Sequence, residues 1–235
     1  MNPQNMALWL GAWLYGFESH DALEESLYHL GSPLDLDTLR EIRQAVSPRM
    51  EEIEPAVRLI LGGPGQPPAL PPGDIADYAM EHGVVVLNAQ SLEDGGRTHY
   101  ALIEGKLHDI GEFLPAPAHI SPGQADQQLS QATYAAASLI DASPEPTPTS
   151  PAQPRLRVGY LTDHYDLPGM PLGVPDRAGK LLARANRVEA IIEASGYQKG
   201  DIHLMPLWRH IREARMCAVE YALSEWAKER RDASL

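Results

Sequence analysis

Residues 84–113, VVVLNAQSLEDGGRTHYALIEGKLHDIGEF, decide the fold class of this 235-residue chain. The stretch opens with a β-branched apolar run and continues with two runs in which apolar and polar residues alternate, a period typical of β-strands. The turn residues DGG at 94–96 and EG at 104–105 separate the three runs, as turn residues do in hairpins. We therefore predict a three-stranded antiparallel meander over residues 84–113.

Apolar residues at helical spacing surround the meander on both sides. The predicted helices cover residues 6–17, 20–30, 36–46, 48–61, 74–82, 122–141, 176–195 and 206–229. The first is apolar almost all round, so we expect it to lie in the core or in a subunit contact. The helix at 48–61 should kink at Pro55, because proline removes a helical hydrogen bond. The helix at 206–229 is long and amphipathic.

The segment SPEPTPTSPAQP, residues 143–154, divides the chain. Proline lacks the backbone donor that helices and sheets require, so this segment belongs to a linker or an extended surface loop. A strand near residues 155–162 follows it. One strand and two helices make a poor independent domain, so we expect that strand to join the meander as a fourth strand.

The predicted fold is therefore α+β, with a small antiparallel sheet packed by several helices. We expect one unit over residues 1–235 with two lobes that share a core. Residues 1–142 form an acidic helical and meander lobe, residues 143–154 form a proline-rich connection, and residues 155–235 form a strand–helix–helix lobe. Whether the connection is a surface crossover or a linker between two domains stays open.

Charge is distributed unevenly between the two lobes. The formal net charge is -13, and residues 1–142 carry 20 acidic against 6 basic side chains, whereas residues 143–235 carry 12 against 13. Nucleic acid and anionic membranes repel such a molecule unless a basic patch is segregated, so we expect neither as a partner. The asymmetry favours charge complementarity between the lobes.

Cysteine usage and the N-terminal sequence favour a cytoplasmic location. The single cysteine, Cys217, forms no intramolecular disulfide and no cysteine metal site, which suits a reducing compartment. The apolar residues 6–17 follow no basic residue and are too short to span a membrane. Cys217 lies on an apolar helical face, so we interpret it as a core residue and not as a nucleophile.

Candidate ligand-binding residues follow the predicted strand at 155–162. They lie in the strand-end loop or on one face of the next helix, and they are Asp163, His164, Asp166, Arg177, Lys180 and Arg184. His164 and Asp166 suit acid–base chemistry or a shared metal, but no third ligand is evident, so we predict no metal site. The alternatives are a loop whose Asp and His cap turns, and basic side chains that face solvent or pair with the acidic lobe.

A second basic run, Arg209, Arg212 and Arg215, lies on the last predicted helix. Arginine forks bind carboxylate and phosphate groups, so the two runs together suit an anionic ligand. Gly173, Gly179 and Lys180 depart from the spacing of a phosphate-binding Walker loop. Neither a zinc-protease motif nor a Gly-x-Ser-x-Gly motif occurs, and catalytic residues and cofactors stay unknown.

Two functional hypotheses follow. We expect a non-catalytic cytoplasmic binding protein that acts as a homo-oligomer, most simply a homodimer, with a protein partner or an anionic small molecule. The alternative is an enzyme or small-molecule binder that uses the loop 163–180 for an anionic or phosphorylated ligand, with or without a metal.

Overall fold

The computed structural model describes residues 2–112, 120–142, 158, 161, 169–194 and 204–234. Its main helices and strands, in chain order, are α1 (Pro3–Tyr15), α2 (His20–His29), α3 (Leu36–Val46), β1 (Val57–Ile60), α4 (Asp74–His82), β2 (Val84–Gln90), β3 (Arg97–Ile103), β4 (Lys106–Gly111), α5 (Pro122–Ala142), α6 (Asp176–Ala194) and α7 (Met205–Ser234). The α+β class predicted from the sequence is confirmed.

The meander forms as predicted. The strands lie in the order β1-β2-β3-β4, and each neighbouring pair is antiparallel. Glu104 adopts a positive φ of 48° and Gly105 one of 78° in the turn between β3 and β4, a region that glycine enters without steric cost. The turn sequences therefore fixed the connections between these strands.

The fourth strand is β1 and does not come from the region around 155–162. The predicted kinked helix over residues 48–61 is wrong, because a single 3-10 turn at Ser47–Arg49 is followed by β1. Pro55 stops a helix from continuing, and Val57–Ile60 then pairs its backbone with Val84–Leu87. A four-residue segment with three apolar residues, Val57, Leu59 and Ile60, fits either period, and only the distant partner strand decides between helix and strand.

The predicted strand at 155–162 falls mostly outside the described residues. Val158 and Leu161, which the structure does describe, are helical. The proline-rich connection at 143–154 also lies outside the described residues, so its role as a crossover stays a prediction.

Each face of the sheet is covered. Alternate residues such as Val85, Leu87 and Leu102 face the main core, which the helices complete. On the opposite face, Val84 and Val86 pack in a smaller cluster that includes Ala79 of α4. Burial on both faces explains why β2 is a continuous apolar run.

The long helix α7 runs through the main core. It packs against α1, α5, α6 and β1, and its Trp226 is fully buried, with the indole N–H donating to the Gly173 carbonyl at 2.8 Å. Cys217 lies on the same helix, and burial raises the pKa of its thiol to about 11. The first helix, α1, is also buried over nearly its whole length, so it belongs to the core. Within the described residues, no helix is both long and apolar enough to cross a membrane.

Helices α1 and α7 approach each other closely at Gly11. A Cβ atom at this position would lie 2.1 Å from Leu223 Cδ2 and 3.5 Å from Trp226 Cζ3. Leu223 is completely buried and has little room to move. The glycine therefore allows the short distance between the two helices. The cost is the low helix propensity of glycine.

We predict that Gly11→Ala destabilises the protein by about 1–3 kcal/mol, because the added methyl overpacks the α1–α7 contact. In a Leu223→Ala background, the same substitution should be neutral or stabilising by up to about 1 kcal/mol, the usual advantage of alanine over glycine in a helix. Urea denaturation of the four proteins measures both effects. Gly123→Ala is the control, because its Cβ would meet no atom within 4 Å. Equal effects of Gly11→Ala in both backgrounds would contradict this interpretation.

Candidate functional site

A cavity of about 500 Å³ lies between the N-terminal half of the chain and α7. Its walls come from the first turn of α1, the loop that follows β1, the end of α4, and side chains of α6 and α7. The volume is that of a typical small-ligand site, for which clefts of roughly 300–1,000 Å³ are usual. Its volume and its mixture of polar and apolar lining residues make it the candidate site.

Arg212 of α7 is the charged group that distinguishes this cavity. Its side chain is largely buried, with the residue 9% exposed. Its Nε donates to Gln66 Oε1 and its Nη2 donates to the Pro64 carbonyl, each at 3.1 Å. Both acceptors are neutral, and among the described residues no carboxylate forms an ion pair with Arg212. Burial lowers the pKa of the guanidinium, although Glu213 and Glu189 act in the opposite direction.

The loop after β1 positions the Arg212 guanidinium. Gly63 and Gln66 exchange two backbone hydrogen bonds, of 3.0 and 2.9 Å, around Pro64-Gly65. Proline followed by a glycine at a φ of 75° suits the two central positions of a type II turn. A Cβ at Gly63 would lie 2.6 Å from Arg212 Nη1, so the glycine leaves room for the guanidinium against the loop backbone.

A second arginine of the cavity, Arg215, is charge-balanced. Its Nη2 forms an ion pair with the carboxylate of Glu189, and its Nε and Nη2 donate to Asn186 Oδ1 at 3.3 and 2.8 Å. Glu189 and Asn186 are both buried on α6. This cluster joins α6 to α7. Its positive and negative charges cancel, whereas no described carboxylate forms an ion pair with Arg212.

The N-terminus of α1 adds to the positive potential of the cavity. Asn2 caps the helix by accepting from the Asn5 backbone N–H at 3.4 Å, and Pro3 occupies the first turn. Gln4 is buried and lines the cavity. Helix N-termini carry partial positive charge, so this wall acts in the same direction as Arg212.

The remaining wall is apolar, and the rim is polar. Leu61, Met80, Trp208 and Ile211 form the apolar side, whereas Glu81 and the histidines His29 and His82 lie at helix ends that also border the cavity. The cavity thus combines one cationic corner with an apolar surface. Among the described residues there is no group of three His, Cys, Asp or Glu side chains suited to a metal ion.

The residues predicted for the loop 163–180 lie elsewhere or outside the described residues. Asp163, His164 and Asp166 fall outside them. Arg177 and Lys180 are exposed on α6, with Lys180 Nζ 3.7 Å from the Asp176 carboxylate. The structure does not bring these two residues to the cavity, and a site at 163–180 stays a prediction.

Arg184, the third predicted residue of α6, has local partners. Its Nη1 lies 2.9 Å from the Asp126 carboxylate and donates to Ser130 Oγ at 2.7 Å, both on α5. It does not line the cavity. This contact matches the alternative interpretation, in which basic residues pair with the acidic lobe.

Sequence reasoning identified two residues of the cavity and missed others. Arg212 and Arg215 belong to the predicted second basic run, but Gln4, Glu189 and Trp208 were not singled out. The sequence signal that could have identified these residues was a polar side chain on an otherwise apolar helical face. Gln4 precedes the apolar run of α1, and Glu189 lies near buried Ala185, Ala190 and Ile192 of α6.

We predict that Arg212→Met changes the free energy of unfolding by less than about 1 kcal/mol, because losing two hydrogen bonds is offset by removing a buried charge. Arg215→Met should instead cost about 3 kcal/mol, because it removes the ion-pair partner of buried Glu189. Denaturant unfolding at neutral pH measures both. The exposed Arg209 supplies the control, Arg209→Met, with an expected change within about 0.5 kcal/mol. Equal losses for Arg212→Met and Arg215→Met would show that both arginines are structural.

Comparison with known proteins assigns a family to the chain. Models of the two domains of the Rv1486c-like protein match it, the N-terminal domain over residues 4–103 and the C-terminal domain over residues 123–216. The cavity lies between these two regions, since residues from both line it. No curated protein and no solved structure matches the chain. The two matches together span most of the sequence, and the chain belongs to the Rv1486c-like protein family.

Proposed function

We propose that the protein acts through binding, with a small organic anion held in the cavity between its two domains. The observation that supports this proposal best is Arg212, a buried arginine with neutral partners in a cavity of about 500 Å³. A buried charge is costly unless something compensates it. Binding sites commonly contain such groups, because the ligand supplies the missing partner.

The hydrogen bonds of Arg212 support a role in recognition. The loop after β1 occupies Nε and Nη2, whereas Nη1 makes no hydrogen bond to any described residue. The guanidinium is therefore held in a fixed orientation while one of its nitrogens stays available. Preorganised donors of this kind bind anions with a small loss of side-chain entropy.

The position of the cavity supports a role for both domains. The N-terminal domain contributes Gln4, Leu61 and Met80, and the C-terminal domain contributes Trp208 and Arg212. Sites between domains are a preferred location for small-molecule ligands. A bound anion would contact both domains and stabilise their packing.

The loop 163–180, with exposed Arg177 and Lys180, remains the alternative site. It would serve an enzyme or a binder of phosphorylated ligands. The two sites share no described residue, so substitutions separate them cleanly.

We predict that small organic anions with an apolar part raise the thermal midpoint of the protein, because a ligand at a hundred times its dissociation constant adds about 2.7 kcal/mol to stability. Thermal unfolding with a panel of aromatic and aliphatic carboxylates and phosphate esters measures this shift. Arg212→Met should weaken binding at least tenfold by calorimetry, since a hydrogen bond to a charged group contributes about 1.5–3 kcal/mol.

The matched control is the double substitution Arg177→Ala with Lys180→Ala, which should leave binding unchanged. If this control removes binding while Arg212→Met does not, the alternative site is the correct one. A flat response to the whole panel would contradict anion binding at either site.

A cytoplasmic homo-oligomer is the second part of the proposal. The buried, unpaired Cys217 suits a reducing compartment. The apolar faces of α1 and α7 are used within the chain, so a subunit contact would form elsewhere. Large apolar side chains exposed on the described surface are the candidates, and they include Ile53, Tyr134 and Leu172.

We predict a mass near twice the 25.8 kDa of the chain by light scattering at micromolar concentration. Exposed apolar residues at the contact would explain the association. Substituting Ile53, Tyr134 or Leu172 individually with a charged residue would identify the contact. A monomer across the accessible concentration range would remove the oligomer from the proposal and leave ligand binding unaffected.

A further inference from the structure

The charges that line the cavity restrict the anion it accepts. Arg212 and Arg215 supply two positive charges, and the carboxylates of Glu189 and Glu81 supply two negative ones. Glu189 is buried beside Arg215, whereas Glu81 is largely exposed at the rim. The buried groups alone carry one net positive charge, and the rim carboxylate opposes any additional negative charge. One negative charge on the ligand therefore balances the interior.

The hydrogen-bond donors available to a ligand are also few. Two of the three Arg212 nitrogens already donate to Gln66 and Pro64, and the Arg215 guanidinium bonds Asn186 and Glu189. Arg212 Nη1 carries two N–H groups that no described residue accepts. Nη2 keeps one further N–H, and one N–H from each of these two nitrogens forms the parallel fork that matches the two oxygens of a carboxylate. A phosphate monoester has three strong acceptor oxygens and carries up to two negative charges at neutral pH, so this site would satisfy it incompletely.

The apolar wall indicates the other part of the ligand. Met80 and Leu61 offer an adaptable thioether and an aliphatic side chain, and the nearly buried Trp208 contributes a small part of its indole. A ligand that filled the cavity would cover this wall and exclude water from the cationic corner. The wall therefore favours a hydrocarbon or aromatic body over a sugar or a polyol.

We propose that the cavity selects a singly charged carboxylate with an apolar body over phosphate monoesters and dicarboxylates. This inference rests on the proposed anion-binding function and specifies its ligand class. The carboxylate oxygens would accept from Arg212 Nη1 and Nη2, and the body would lie against Met80 and Leu61.

Four probes of similar shape test the selection by calorimetry on the full chain: phenylacetate, phenyl phosphate, phthalate and phenylacetamide. We expect phenylacetate to bind at least tenfold more tightly than each of the other three. Glu81→Gln removes the rim carboxylate. It should reduce the difference in affinity between phenylacetate and the two dianions, phenyl phosphate and phthalate. The substitution concerns an exposed side chain, so we expect the variant to fold normally, and circular dichroism checks this directly.

Glu189→Gln should reduce this difference in affinity further, because it raises the net charge of the interior. Circular dichroism checks that this variant folds. Glu229→Gln, an exposed change near the end of α7 and away from the cavity, should leave all four affinities unchanged. Tighter binding of phenyl phosphate or phthalate would overturn the carboxylate inference while leaving anion binding intact. Equal binding of phenylacetamide and phenylacetate, or no binding of any probe, would overturn the anion-binding proposal as well.

Discussion

The packing of α7 against its neighbours is the constraint on which the rest of the structure depends. Helix α7 has 30 residues and packs against α1, β1, α5 and α6. Small residues at the contacts, among them Gly11, Ala218 and Ala222, allow the backbones to approach closely. Apolar burial on this scale is the main source of folding free energy. The positions of the sheet and of the cavity follow from it.

The same packing explains why a polar site lies beside the core. Arg212 lies between core residues of α7, among them Trp208 and Ala214, and its guanidinium reaches the loop after β1. Its neighbour Ile211 is fully buried, and Arg215 one turn further along is held by Glu189. The helix that organises the core therefore also carries the cationic group of the cavity. Under the proposed function, stability and ligand recognition would depend on one element, which is the usual setting for a trade-off between them.

Local patterns were sufficient to predict most of the fold. The strands β2, β3 and β4 follow from alternation and turn residues, and α3 begins at a capping residue, Asp35, which accepts from the Thr38 N–H at 2.7 Å. The strand β1 could not be predicted in the same way, because its four residues carry no clear period and the pairing with β2 joins segments distant in sequence. The cavity was even harder to predict from the sequence. No sequence feature separates Arg212 from the other arginines of its basic run. Its burial depends on the loop at 63–66, and the sequence alone does not indicate that this loop lies against α7.

The way Arg212 is held has an evolutionary consequence. The arginine belongs to the C-terminal domain, but the carbonyl and amide oxygens that orient it belong to Pro64 and Gln66 of the N-terminal domain. Neither domain contains the oriented cation by itself. A gene rearrangement that combined either domain with a different neighbour would preserve its helices and strands but lose this arrangement. Under the proposed anion-binding function, selection would therefore act on the two domains as one inherited unit.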